Sequence, residues 1–301
     1  MDAADLRIFE AVARLGGMNR AAGELHTVQS NVTHRIRLLE DELGSPLFRR
    51  NSRGVTLTAA GERLMPYAVR VGQLLSEARR AVDDTGTPQG KLAIGSLEST
   101  LALRLSPALA SYAKAFPDVD LTIETGTSAE LVDAVLARKL DGAFVCGPVE
   151  HAALAGETVF QEDLALVTPP ALRRLGDLTA SNGVKIVVLR AGCSYRQRLE
   201  EILARRGIVG LRRLEFGTLD AIIGCVAAGI GVTLLPRNLV EAPRRAGKVR
   251  IHALSSAESR VDTVFIHRRD AMASSALTAF VAHTEQTSRA GGRRGRGLKT
   301  S

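Results

Sequence analysis

Residues 18 to 40, MNRAAGELHTVQSNVTHRIRLLE, constrain this chain more than any other stretch, because they read as two short helices joined by a tight turn. In the second helix Val28, Val32, Ile36 and Leu39 recur at spacings of four, four and three. At about 100° per residue they form one apolar stripe, the face that packs inward. The opposite face carries Ser30, Thr33, His34 and Arg37, with Gln29 and Asn31 on its flanks. Those side chains suit phosphate oxygens and base edges in a major groove. Ala21, Ala22 and Leu25 let the first helix approach closely, Asn19 is placed to cap it, and Thr27 to cap the second. A pair of amphipathic helices with a solvated polar face has the same periodicity, so spacing alone leaves both readings open.

The flanks extend the pattern. Residues 4 to 15 predict a helix with Leu6, Phe9, Val12 and Ala13 on one face, ended by Gly16-Gly17. Leu43, Leu47 and Phe48 read as core, with Pro46 as a helix breaker. RRNSRGVTLT reads as a turn centred on Ser52-Arg53-Gly54 between two short strands. The run Ala21-Ala22…Leu25…Gln29-Ser30…Val32-Thr33…Ile36…Leu39-Glu40, followed by LGSPLFRR and VTLTAAG, resembles the N-terminal domain of LysR-type transcriptional regulators. The match runs from about residue 4 to 65 without a gap, and the whole chain has that family's length.

The resemblance implies a winged helix-turn-helix on double-stranded operator DNA. Base and phosphate contacts would come from Gln29, Ser30, Thr33, His34 and Arg37. At His34 the family more often has arginine, and a neutral imidazole gives up the charge and the two-pronged fork to guanine. Arg49, Arg50 and Arg53 would lie along the backbone beside an adjacent minor groove, a salt-dependent contact, although arginines in a turn are also simply well solvated.

Thr58 is placed to cap a long helix over about 59 to 84, in which Leu64, Ala68, Val71, Leu74 or Leu75, Ala78 and Val82 recur at three and four. Pro66 removes one backbone bond and predicts a kink without a stop. A lone helix between domains cannot cover such a stripe, so it is expected to pair with a copy from another subunit, and the resemblance implies homodimers or homotetramers. DDTGTPQG (83 to 90) marks a boundary. Beyond it, strands at 91–96, 119–125, 142–146, 164–168, 184–189 and 231–235 alternate with helices at 99–115, 128–138, about 194–206 and about 218–228. That order predicts an α/β open-sheet domain, with ligands at the carboxyl ends of its strands. The resemblance sharpens this to a two-lobed effector domain of the periplasmic-binding-protein type 2 fold. RVDTVFIHR (260 to 268) would be the second crossing strand, and a closing helix would follow at about 273 to 286. The expected division is therefore 1–58 reader, 59–88 linker helix and hinge, 89–288 effector domain and 289–301 a disordered basic tail.

In such a fold the cleft is lined by helix starts, and four can be named. They are Ser96, Glu98, Ser99 and Thr100 in GSLEST; Gly126, Thr127 and Ser128 in GTS; Cys193, Ser194, Tyr195 and Arg196 in GCSYR; and Gly217-Thr218. Free N–H groups and helix dipoles favour a small anionic effector such as a carboxylate, while each hydroxyl taken singly is also a good N-cap. Glu98, facing the cleft, would take an ammonium group; facing water, it is an ordinary helix-start acid. Cys193 invites a redox reading, since the family's peroxide-sensing branch carries a reactive cysteine in a comparable loop and a helix start beside Arg196 would lower a thiol pKa; that branch has a second cysteine shortly downstream, whereas Cys225 lies 32 residues later. The segments GSLEST…GTS…GCSYR…GIGVTLLP resemble the YofA-like branch of the family.

Charge and composition exclude other classes. The net charge of +8 shrinks on division: residues 1–58 carry eight basic against seven acidic side chains, 59–88 four against four, 89–288 23 against 21, and the last thirteen residues hold five cations. The basic character is thus mainly a tail effect. Cys146, Cys193 and Cys225 are odd in number and far apart, fitting a reduced, cytoplasmic chain. No secretory leader is legible at the N-terminus, and the longest uncharged stretch, Ala221 to Pro236, is short for a bilayer and broken by glycines. With no phosphate loop, GxSxG elbow or Cys/His cluster of zinc spacing, neither enzyme chemistry nor a metal or other cofactor is expected.

Overall fold

The computed structural model describes residues 1–51, 54–178 and 183–296, apart from the side chains of Arg50, Asn51 and residues 288–296. The chain divides into two units, Met1–Asp83 and Asp84–Ser301.

The first unit runs α1 (Ala3–Leu15), α2 (Met18–Glu24), α3 (Gln29–Leu43), β1 (Phe48–Asn51), β2 (Gly54–Leu57) and α4 (Ala59–Asp83). An Asp2–Asp5 capping box starts α1, and Gly16 ends it in the left-handed region at φ 65°. Phe9, Val12, Ala21, Ala22, Val32, Ile36, Leu39, Leu47 and Phe48 form one core. His26 supplies the tight turn between α2 and α3 at φ 51°, a conformation histidine tolerates better than a β-branched residue. β1 and β2 pair antiparallel, with Phe48 opposite Leu57, and make the wing. Thr58 Oγ1 accepts the N–H of Gly61 at 3.1 Å and donates to the Pro46 carbonyl at 2.7 Å, fastening the start of α4 to the wing's base. A Cβ on Gly61 would stand 2.3 Å from the Leu47 carbonyl oxygen, so only glycine permits this approach.

Several sequence expectations change here. Val28 is not core but 64% exposed. The helix begins at Gln29, and Val28 is its N-cap, with extended backbone (φ −95°, ψ 149°) that breaks the helical screw continued by Val32, Ile36 and Leu39. Thr27 lies outside the cap position, and its hydroxyl accepts the Asn31 amide at 3.0 Å. Asn19 falls inside α2, whose N-cap is Gly17. On α1 Ala11 is fully buried as well, Ala13 is partly buried against the same core, and Leu43 is 39% exposed. α4 continues through Pro66. Its first half packs on the core through Leu64, Ala68 and Val71, whereas Leu74, Leu75 and Val82 are exposed.

The second unit comprises β3 (Gly90–Ser96), α5 (Glu98–Thr100), a π-helical turn (Leu101–Leu105), α6 (Ser106–Ala115), β4 (Val119–Thr125), α7 (Ser128–Leu136), β5 (Gly142–Cys146), β6 (Leu154–Thr168), a 3-10 turn (Leu175–Leu178), β7 (Lys185–Leu189), α8 (Ser194–Arg205), β8 (Arg212–Phe216), α9 (Leu219–Ala227), β9 (Thr233–Pro236), α10 (Arg237–Arg245), β10 (Arg250–His252), α11 (Ser256–Ser259), β11 (Arg260–Arg268) and α12 (Ser275–Arg296). The sheet order β10-β6-β11-β5-β3-β4, with β9 also on β6, shows the two-lobed plan. β4, β3 and β5 are parallel neighbours in one lobe. In the other, β7 pairs with β8 in parallel and joins the start of β9 through an Ile186–Val232 bridge. β6 and β11 run antiparallel along each other, and β6 continues into the second lobe to meet β9 and β10. The first half of β6, and all of β8, α10 and β10, are additional to the elements the sequence pattern predicts. α12 is helical through Arg296, across the stretch expected to lack structure from 289, because propagation from an established helix is far easier than nucleation. The rest of the expected tail, 297–301, lies outside the described residues.

Candidate functional site

Helix α3 presents its solvent face as the sequence spacing requires. Gln29, Ser30, His34 and Arg37 are exposed and Thr33 is half-buried. The Gln29 side-chain amide donates to Thr33 Oγ1 at 2.9 Å, which holds its carboxamide along the helix with fewer rotamers to lose on binding. α3 is oriented from behind: Arg35 Nε meets Asp5 at 2.8 Å and its terminal nitrogen meets Asp2 at 3.0 Å, tying the helix to the first turn of α1. Glu40 Oε1 accepts the N–H groups of Leu47 and Phe48 at 2.7 and 3.1 Å, tying it to the wing. These positioning residues were not singled out from sequence; their signal is charge on the flank between stripe and solvent face. Arg49 is exposed on β1, while the Arg50 side chain and Arg53 lie outside the described residues.

In the second unit the carboxyl ends of β3, β4 and β5 and the start of α8 enclose a small cleft of about 50 Å³. Of the residues expected there, Glu98, Ser99, Gly126, Thr127, Ser128, Cys193, Ser194, Tyr195 and Gly217 line it. Four others do not. Ser96 is buried and donates to the Leu97 carbonyl, and Thr100 is buried with its hydroxyl unpartnered among the described residues. Arg196 turns onto Glu200 and Glu215, and Thr218 caps α9 on an exposed edge. Conversely, Thr125, Cys146 and Arg190 join the lining unforeseen. Arg190 is exposed, makes no ion pair among the described residues and helps to lower the Glu130 carboxyl, after the dominant Thr127 hydrogen bonds.

Hydrogen bonds join the lobes across this cleft. Ser194 and Ser128 hydroxyls stand 3.2 Å apart, Ser99 and Tyr195 3.3 Å, and Glu98 Oε1 accepts the Leu219 N–H at 3.1 Å. Ser128 Oγ also accepts the Cys146 N–H at 3.1 Å, tying the start of α7 to the end of β5. Thr127 and Glu130 form a reciprocal capping box, so the Thr127 hydroxyl is a cap as well as a wall. Burial pushes the Cys193 thiol up, outweighing nearby N–H groups and Arg196, the reverse of the activation expected from sequence. Cys146 is pushed up in the same way. Cys225 packs in the apolar cluster around Ile222 and Val226, away from the lining of this cleft.

Residues 3–62 match the family model of the bacterial regulatory helix-turn-helix proteins of the lysR family, and residues 85–289 match the LysR substrate binding domain. The chain belongs to the LysR family of transcriptional regulators. It is a DNA-binding regulator carrying a substrate-binding domain, and the family is one of regulators rather than enzymes. Bacillus subtilis GltR, an HTH-type transcriptional regulator, is 41% identical over 278 residues, covering 92% of this chain and 94% of its own. B. subtilis YofA is 40% identical over 289 residues, covering 96% and 100%. The fold is that of full-length CbnR in complex with its target DNA, with a TM-score of 0.66 and 23% identity over 95% of this chain and all of that one. Among the described residues no helix is long and apolar enough to cross a membrane.

Proposed function

We propose that this LysR regulator reads its operator through Gln29, Ser30, Thr33, His34 and Arg37 on α3, with Arg49, Arg50 and Arg53 of the wing on the phosphate backbone, and that the cleft binds a small carboxylate-bearing effector. The observation that carries the effector reading is Arg190, a cation without an ion-pair partner among the described residues, set on a cleft lined by Thr127, Ser128 and Ser194 at two helix starts. Glu98 adds a negative group to the lining, suiting an effector that bears an amine as well as a carboxylate. The exposed Leu74, Leu75 and Val82 of α4 support pairing of this helix with that of a second subunit, in a homodimer or homotetramer. The reading divides the chain at 58, 88 and 288 and places it in the cytoplasm with its DNA. The segments GSLEST, GTS, GCSYR and GIGVTLLP support a YofA-like assignment; identities of 40% to YofA and 41% to GltR do not separate the two.

The test is a thermal-shift screen of the full chain against amino acids and small carboxylates. A ligand present at about a hundred times its dissociation constant adds about 2.7 kcal/mol, a shift of a few degrees. Silence across amino acids and carboxylates alike overturns the effector class.

A further inference from the structure

Val28 is the most exposed large apolar side chain on or next to the reader helix, at 64% against 47% for Leu38 and 39% for Leu43. It occupies the N-cap of α3, where a hydroxyl or carboxamide is strongly preferred and valine is among the poorest choices, and it makes no side-chain cap. Neither core packing nor helix capping therefore accounts for valine here. Its surroundings do: the adjacent exposed side chains are Gln29, Ser30 and Asn31, and the amino-terminal end of a recognition helix is the part that meets base edges. In the major groove the thymine C5-methyl is the one apolar feature that distinguishes a base pair, and an aliphatic side chain recognises it by contact.

We infer that Val28 is a specificity-determining residue that packs on a thymine methyl group in each half-site. Gln29 and its neighbours read hydrogen-bonding edges; Val28 supplies the contact that polar groups cannot make. This rests on α3 being the reader helix.

The experiment uses the full chain and a duplex that the full chain selects from a randomised DNA pool. Each thymine of the half-sites is replaced in turn by deoxyuridine, which deletes only the methyl group, and affinities are read by fluorescence anisotropy. The expected result is one position per half-site where deoxyuridine weakens binding about fourfold, the equivalent of one buried methyl at about 0.8 kcal/mol. Val28→Ser, which restores a capping hydroxyl and so keeps α3 intact, should bind the thymine and deoxyuridine duplexes equally. A flat scan with the natural chain, an unchanged loss with Val28→Ser, or selected half-sites without thymine overturns the inference. Gln29→Ala separates the two levels. If it weakens binding while the scan is flat, α3 reads DNA without Val28; if it changes nothing, the reader assignment falls as well.

Discussion

Glu98 Oε1 accepts the backbone N–H of Leu219 at 3.1 Å, so a carboxylate from one lobe rests on the first turn of α9 in the other. The contact satisfies one free N–H of that helix and places negative charge at the positive end of its dipole. The same carboxylate lines the cleft, which couples the lobe contact to whatever the cleft holds.

Replacing Glu98 by Gln keeps an acceptor for Leu219 and removes the charge. Binding of an amine-bearing carboxylate should weaken by about 1.5–3 kcal/mol, roughly tenfold or more, while a plain dicarboxylate binds at least as well as before. Calorimetric titration of both ligand classes checks this, and parallel losses would take Glu98 out of ligand recognition.

Arg190→Gln should cost a carboxylate effector a charge-assisted hydrogen bond, again about 1.5–3 kcal/mol, with little change in melting temperature of the ligand-free protein because Arg190 is exposed. Undiminished affinity would remove Arg190 from the site.

On the DNA side, Arg37→Ala should weaken specific binding by about 1–3 kcal/mol if it reads a base. Arg49→Ala should instead lower affinity on all sequences and reduce the slope of log K against log salt by about one. Affinity measured at several salt concentrations on specific and scrambled duplexes distinguishes the two.

Much of this was legible because periodicity reports burial. The stripe Val32, Ile36, Leu39 has helical spacing, and strands β4 and β11 alternate with the period of two that a half-buried strand requires. Val28 departs from the stripe because the helix starts at Gln29, one residue inside the apolar pattern. β8, with its exposed arginines, and residues 154–163 of β6, which carry Glu157, Glu162 and Asp163, lack the apolar density that marks a buried strand. In the cleft the helix starts were readable from hydroxyl-rich turns. Which side chains face the cavity was not, since Ser96 and Thr100 are turned into the protein and Arg196 is held by acids of its own surroundings. Arg190 precedes its helix start, and only tertiary structure brings it to the rim.

Thr58→Ala removes both the cap of α4 and the bond to Pro46. The cost should be about 1–2 kcal/mol, seen as a lower melting temperature of the first unit. Thr58→Ser should recover most of it.

The Arg206 guanidinium holds the Glu258 carboxyl down to about 2 from an ordinary 4.5. Because the folded value is the depressed one, this pair stabilises the second unit fully above about pH 4.5, and its contribution is lost as pH falls toward 2. Denaturant titrations between pH 6 and 2.5 should show that loss, and Glu258→Gln should flatten the acid limb.

β6 and β11 have a mechanical meaning for a regulator. Two strands bonded to each other along their length resist sliding and stretching but yield to twist, and their ladder is interrupted between Thr263 and Val264, an irregularity of the kind that increases local twist. They act as a torsion bar clamped at both ends by the lobes. A ligand that draws the lobes together would therefore pass on an angle rather than a displacement.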